Sequence, residues 1–350
     1  MDPRRTPVIV AAGQATLRDE NVNAVEMAAR AAEAALARTG ALRDRIQRLS
    51  MVSVVFSPVS ARPASELAAR LGLAEAAVET TTPGGNLPQW LVTRAAAEIA
   101  EGRLDTTLLA GGEATRSMRE SDPDANFMGA ARRPKDDSDP DPVVGPSMMG
   151  VLSRAEIAIR LFEPAHTYPL FENALAHAHG RSFDEQRAVL GPLMARFSEV
   201  AAKHPYAWFR EALSAREIAT PSEHNRLIAE PYTKEMNAFP HVDQGAAVIL
   251  TSLATARDLG LEDRCVFVWS GANLVEPPPV SRRDLSDAPA MRAAAAACLD
   301  AAGVCADQLG LIDLYSCFPI AVEVGAAGLG VPLSDARELT VTGGLPFFGG

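Results

Sequence analysis

Cysteine and histidine are the side chains best suited to covalent and proton-transfer chemistry near neutral pH, and their spacing in this chain is restrictive. The four cysteines, Cys265, Cys298, Cys305 and Cys317, all lie in the last quarter of the 350 residues, and no pair has the CxxC spacing of a zinc or redox site. They read as reduced thiols. Cys317 follows the polar pair Tyr315-Ser316 at a strand end, where a lowered pKa would make the thiol reactive and burial would make it inert. Cys265, Cys298 and Cys305 fall on strand or alanine-helix patterns and read as core. His241, just before Val242-Asp243-Gln244-Gly245, is the general-base candidate, with a structural histidine as the bland alternative. His177 and His179 are two apart and face different ways on a helix, so they make no metal pair. His166, His204 and His224 read as surface or capping residues.

Other segments could bind rather than react. Gly84-Gly85-Asn86 opens a helix, whose free N–H groups could hold an anionic or carbonyl oxygen, with Asn86 as N-cap or polar donor; a plain capped turn is the alternative. Tyr206-Ala207-Trp208-Phe209 could line an apolar tunnel, or only pack a loop onto the core. Met148-Met149 could line an adaptable pocket or fill a gap. The acidic run 136–141 reads as a solvated loop. No GxGxxG follows the first strand and no GxSxG occurs, which disfavours a Rossmann dehydrogenase and a triad hydrolase.

The elements that must position these residues alternate. Strands are expected at 7–13, 49–56, 77–82, 106–110 and 244–251, with helices at 23–38, 65–73, 87–102, 153–161 and 183–203. Pro88 falls in a first helical turn, where its missing N–H does no harm. Such alternation implies a mainly parallel sheet with helices on its faces. Between 115 and 235 the chain turns polar and Pro/Asp-rich, which reads as an inserted loop and helix subdomain. A formal net charge of −11 opposes attraction to nucleic acid, and no apolar run reaches the roughly 20 residues of a membrane span. The short apolar start is no signal peptide, and the expected location is cytoplasmic.

An internal repeat orders the rest. Residues 31–58 resemble 294–319: an alanine helix, a glycine stop, a spacer and a strand closing on Phe and Pro. A short helix follows in each copy, and then a threonine stretch into Gly84-Gly85 or Gly343-Gly344. The first copy continues past its turn, whereas the second stops at Gly350, so a truncated chain, or one completed by a partner, is expected.

These features together resemble the thiolase superfamily, in particular the acetyl-CoA acetyltransferase group related to sterol-carrier-protein thiolases. The matching stretches are Ala110-Gly111-Gly112-Glu113, Ser147-Met148-Met149-Gly150, Val242-Asp243-Gln244-Gly245-Ala246-Ala247, Tyr315-Ser316-Cys317-Phe318 and Thr342-Gly343-Gly344 to Gly349-Gly350. The resemblance implies duplicated αβ halves with mainly parallel mixed sheets sandwiching helices. One half would comprise 1–114 and 236–258, the insert 115–235, and an incomplete second half 259–350. It also implies acyl-CoA as ligand or substrate with no covalently bound cofactor, acyl transfer as the reaction, and a homodimer or hetero-assembly.

The same resemblance puts the family's nucleophilic cysteine on Gly85 or Asn86 and its activating histidine on Gly350. Its oxyanion-binding histidine becomes Tyr315, whose phenol could still donate a hydrogen bond. Candidate catalytic residues are therefore Cys317, His241, Asn86 and Tyr315. Candidate binding residues are Gly84, Gly85, Met148, Met149, Trp208, Phe209, Gly343, Gly344 and Gly350. Two functions follow: an acyltransferase of atypical or lost thiolysis mechanism, or a noncatalytic acyl-CoA-binding or scaffold subunit.

Overall fold

The computed structural model describes residues 2–123, 139–147 and 152–350. In chain order the regular elements begin β1 (Pro7–Leu17), α1 (Ala24–Leu36), β2 (Arg48–Met51), α2 (Pro63–Arg70), β3 (Ala77–Thr81), α3 (Leu87–Glu101), β4 (Thr106–Ala114), α4 (Thr115–Ser121) and β5 (Val143–Val144). There follow α5 (Arg154–Ala158), α6 (Pro164–Ala178), α7 (Phe183–Lys203), α8 (Ala215–Ala219), β6 (Leu227–Ala229) and β7 (Tyr232–Thr233). The last are β8 (Asp243–Ser252), α9 (Leu253–Asp258), β9 (Val266–Phe267), α10 (Pro289–Ala302), α11 (Pro319–Leu329) and α12 (Leu345–Phe348). Two compact units result, one of Met1–Met148 with His241–Trp269, the other of Met149–Pro240 with Ser270–Gly350.

The first unit is an α/β layer structure around a seven-stranded mixed sheet, ordered β5-β3-β2-β4-β8-β1-β9. Pairing is parallel from β5 to β4, where helices cross over between strands, and antiparallel from β4 to β9. What lets α1 lie on this sheet is a glycine at the contact on each of three adjacent strands. A Cβ on Gly13 would stand 2.1 Å from the Ala31 carbonyl oxygen, one on Gly112 2.7 Å from that of Ala24, and one on Gly245 2.3 Å from that of Met27. Gly112 and Gly245 are register partners, and Gly13 lies opposite Ala247. The helix answers with alanines: Ala24, Ala28, Ala31, Ala32 and Ala35 are all fully buried. Asn23 starts it by accepting a hydrogen bond from the Glu26 amide at 2.8 Å.

Strand β2 is shorter than the 49–56 expected from its apolar run: the Ser53 amide donates to the Thr81 hydroxyl at 2.9 Å, and Glu113 takes the amides that follow. Its carboxylate accepts from the amides of Val55 (2.6 Å), Phe56 (3.0 Å) and Ser57 (3.1 Å), and from the Ser57 hydroxyl (2.7 Å). Donors committed to a side chain cannot also continue a ladder. Burial pushes the Glu113 carboxyl above its ordinary range, against the lowering by these bonds.

The second unit is mostly helical, with a core of Leu190, Met194, Phe197, Tyr232, Phe318 and Val322 among others. Ser182 starts α7 with a reciprocal capping box to Glu185, which is why the expected start at Phe183 is met. The repeat order returns here as α10, a short 3₁₀ turn, an extended stretch, α11 and a second extended stretch. Among the described residues this copy forms no ladder. Its two extended stretches share the Leu314 amide to Leu339 carbonyl bond at 2.9 Å. No residue of α10 is buried, whereas α1 buries most of one face. No helix among the described residues is long and apolar enough to cross a membrane.

Replacing Gly245 by alanine should push α1 off the sheet and cost about 1–3 kcal/mol, as overpacking does. Urea denaturation of G245A measures this, and an unchanged midpoint would refute the close contact.

Candidate functional site

In the second unit the structure gathers several of the candidate residues. Cys317 lies two residues ahead of α11 and is 5% exposed. Tyr168 on α6 and Tyr315 interact through their side chains with the Cys317 thiol and with each other, and the Tyr168 ring stacks on Phe318 at 4.6 Å. A thiol at a helix N-terminus is usually acidified. Here burial is the larger effect and pushes Cys317 up to about 11, although Tyr168, Tyr315 and nearby amides pull it down. The lowered pKa that a nucleophilic role requires is therefore absent. Burial raises the Tyr168 phenol, and the neighbouring Cys317 raises both; Tyr315 is 49% exposed, and either phenol is protonated at neutral pH and can donate.

Around this cluster runs the Thr340 to Gly344 turn. The Thr340 hydroxyl accepts from the Gly343 amide at 3.1 Å, and Gly344 presses on Ser316, where a Cβ would come within 2.5 Å of the hydroxyl. Both Gly343 (φ 101°) and Gly344 (φ 76°) hold left-handed backbone, so no other residue type fits these positions well. Trp208 and Phe209 donate backbone hydrogen bonds to Phe348 and Phe347, both at 2.9 Å. The Gly350 amide donates to Phe239 at 3.2 Å, and the Phe239 ring meets Phe209 edge-on at 4.8 Å. Ala238 in turn donates to the Cys317 carbonyl at 3.0 Å. Tyr315, Cys317, Gly343, Gly344, Gly350, Trp208 and Phe209 thus belong to one neighbourhood.

Sequence reasoning missed four residues beside it. Tyr232 donates to Glu172 at 2.6 Å, Gln186 donates to the other Glu172 oxygen at 2.6 Å, and Gln186 also approaches Glu323 at 3.3 Å. All four are buried. Tyr168 and Glu172 stand four apart on α6, a helical signal that pairs them on one face, but nothing local marks that face as buried.

The first unit holds the remaining candidates. Asn86 occupies the N-cap position of α3, yet its side chain makes no cap bond because its backbone is already helical (φ −84°, ψ −11°); the capping expectation is corrected. Gly84 and Gly85 form the turn before it. Pro83, Thr80, Ser53, Ser57, Val143 and Asp141 line a cavity of about 140 Å³ beyond the carboxyl ends of β2 and β3, the usual ligand side of such sheets. Asp141 does not face it as a free acid, since it takes the Ala64 amide (2.7 Å) and Ser65 amide (3.2 Å) at the start of α2. His241 receives Arg119 Nη1 at 2.7 Å on Nε2, so the lone pair a general base needs is engaged. Burial and then the Arg119 charge lower its pKa. Met148 and Met149 lie outside the described residues. Among the described residues no three His, Cys, Asp or Glu side chains group as a metal site.

A crystal structure of a monomeric SCP2-thiolase like protein type 1 from Mycobacterium smegmatis is similar to this chain, with a TM-score of 0.83 and 32% identity. The match covers 100% of this chain and 69% of that one. The chain belongs to the thiolase superfamily, with the SCP2-thiolase-like proteins. Its thiolase-like fold is shared with an Ltp2-ChsH2(DUF35) aldolase (TM-score 0.72, 17% identity, 99% of this chain and 86% of that one). It is shared too with human mitochondrial 3-ketoacyl-CoA thiolase in complex with CoA (0.59, 16%, 99% and 87%). No family model matches the chain, and no curated protein sequence does.

Two measurements check the electrostatics of this thiolase-like chain. Alkylation followed by peptide mass mapping should label exposed Cys305 first, with Cys317 labelling rising only towards a midpoint near about 11; fast Cys317 labelling at neutral pH would contradict the buried thiol. Replacing Arg119 by alanine removes the smaller of the two causes, so the His241 imidazole resonance should titrate partway back up towards 6.5. An unmoved NMR titration would deny the contact.

Proposed function

We propose that this chain is an acyl-CoA-binding protein of the thiolase fold that does not pass through an acyl-cysteine. The observation that carries this reading is Cys317, a buried thiol that burial keeps protonated beside the Tyr168 and Tyr315 phenols. Aligned by the family resemblance, the usual nucleophile falls on Gly85 or Asn86 and the activating imidazole on Gly350, and none of these can replace them. Acyl-CoA as the ligand is supported by membership of the superfamily and by the CoA complex of the human thiolase. Tyr315, as a protonated phenol, can donate to a thioester carbonyl oxygen. Any acyl transfer then runs directly: an acceptor nucleophile attacks the carbonyl carbon, the C–S bond breaks, and CoA leaves as a thiol with the acceptor's proton.

A second reading is a noncatalytic subunit completed by another chain. It is favoured by Leu311 (81% exposed) and Val341 (43%), apolar residues on the two extended stretches of the second unit that stand outside any ladder. The Ltp2-ChsH2(DUF35) aldolase is likewise named for two proteins.

Incubation with short and medium acyl-CoA thioesters tests the first reading. Calorimetry should show binding, and intact mass should show no acyl adduct, with Y315F weakening binding by about 1 kcal/mol, or roughly fivefold. An adduct mapped to Cys317 would overturn the noncovalent reading, and no binding of any acyl-CoA would overturn the ligand assignment.

A further inference from the structure

The buried carboxyl pair of the second unit is used by nothing described so far. Glu172 on α6 is fully buried, and Glu323 on α11 is 7% exposed. One nitrogen, Gln186 Nε2, reaches both carboxyls, Glu172 at 2.6 Å and Glu323 at 3.3 Å, which sets them side by side. Two carboxylates in contact inside a low-dielectric core repel strongly unless a cation or a proton intervenes. The charged and titratable groups facing the pair are few. Arg181, between α6 and α7, donates from Nη1 to the Gln186 side-chain oxygen at 3.0 Å, and its charge lowers Glu323, against the larger effects of burial and Glu172. Gln186 on α7 and Tyr232 on β7 are neutral donors. Among the described residues no Lys, Arg or His forms a salt bridge with either carboxyl.

The donor pattern decides where the charge sits. Glu172 accepts on Oε1 from Gln186 and on Oε2 from Tyr232, both at 2.6 Å, as a carboxylate does. Glu323 has only the long contacts from Gln186, at 3.3 and 3.5 Å, so its charge is the less well met of the two. We propose that Glu172 and Glu323 hold one proton between them at neutral pH, carried mainly on Glu323, and that this proton clamps α6 to α11.

Burial and the neighbouring Glu172 both raise the Glu323 carboxyl, which supports the same arrangement. Because the folded value lies above the unfolded one, the clamp is fully present below the ordinary carboxylate pKa of 4.5 and is lost as pH rises through the folded value. Between these limits the folded chain carries one proton more than the unfolded chain. The second unit therefore weakens with rising pH while the geometry of its fold stays the same. The inference stands apart from the acyl-CoA reading, since it concerns helix packing and needs no ligand.

Infrared spectroscopy and hydrogen-exchange mass spectrometry of the full chain test it. The wild type at neutral pH should show a buried protonated-carboxyl band that E323Q lacks. Protection of α6 and α11 peptides, corrected for chemical exchange, should fall by up to about tenfold per pH unit across the neutral and mildly alkaline range. In E323Q, whose amide can still donate to Glu172, that slope should vanish and alkaline protection should exceed the wild type's. Should E323Q fail to fold, E172Q carries the same expectation. An identical infrared band or an identical slope in the variant would overturn the proposal.

Discussion

Helix α1 can sit this close to the sheet only because three adjacent strands each place a glycine under it. The contact is backbone to backbone: carbonyl oxygens of Ala24, Met27 and Ala31 occupy the space where Cβ atoms of Gly112, Gly245 and Gly13 would stand. Strands β1, β4 and β8 are thereby fixed under one helix, and β4 in turn carries Glu113, whose carboxylate gathers the amides of residues 55–57. That gathering bends the chain out of β2 and into the wall of the small cavity at the sheet's carboxyl end. The glycines of the Ala-Gly-Gly-Glu and Asp-Gln-Gly stretches are therefore packing residues first.

In the second unit desolvation outweighs the features that would otherwise make the site reactive. Cys317 has the helix start, the amides and the hydroxyl neighbours that acidify a thiol, and burial still prevails. The consequence is a set of neutral hydrogen-bond donors around a turn of two left-handed glycines. Such a surface suits holding a polarised carbonyl better than attacking it. The carboxyl pair one helical turn further along α6 obeys the same rule, with a proton where an exposed pair would have two charges.

Much of the fold was legible because it is written in local chemistry. Ser182 with Glu185, and Asn23 with Glu26, mark helix starts within the residues that form them. Alternation of strand and helix gave the parallel part of the sheet. The end of β2 was not legible, since Glu113 lies more than fifty residues away from the amides it captures. Asn86 looked like a cap by residue type, and its own helical backbone removed it from that role. The repeat was legible as an order of elements, while the absence of a ladder in its second copy among the described residues was not.

By itself the sequence determined the strand and helix alternation of the first unit, the glycine positions and the likeness to the superfamily, because each of these is a short-range pattern of residue types. Only the tertiary structure decided the protonation of Cys317, the engagement of His241 by Arg119, and the meeting of Glu172 with Glu323. Those depend on how much water is excluded and which distant charge arrives, and neither quantity is carried by neighbours along the chain.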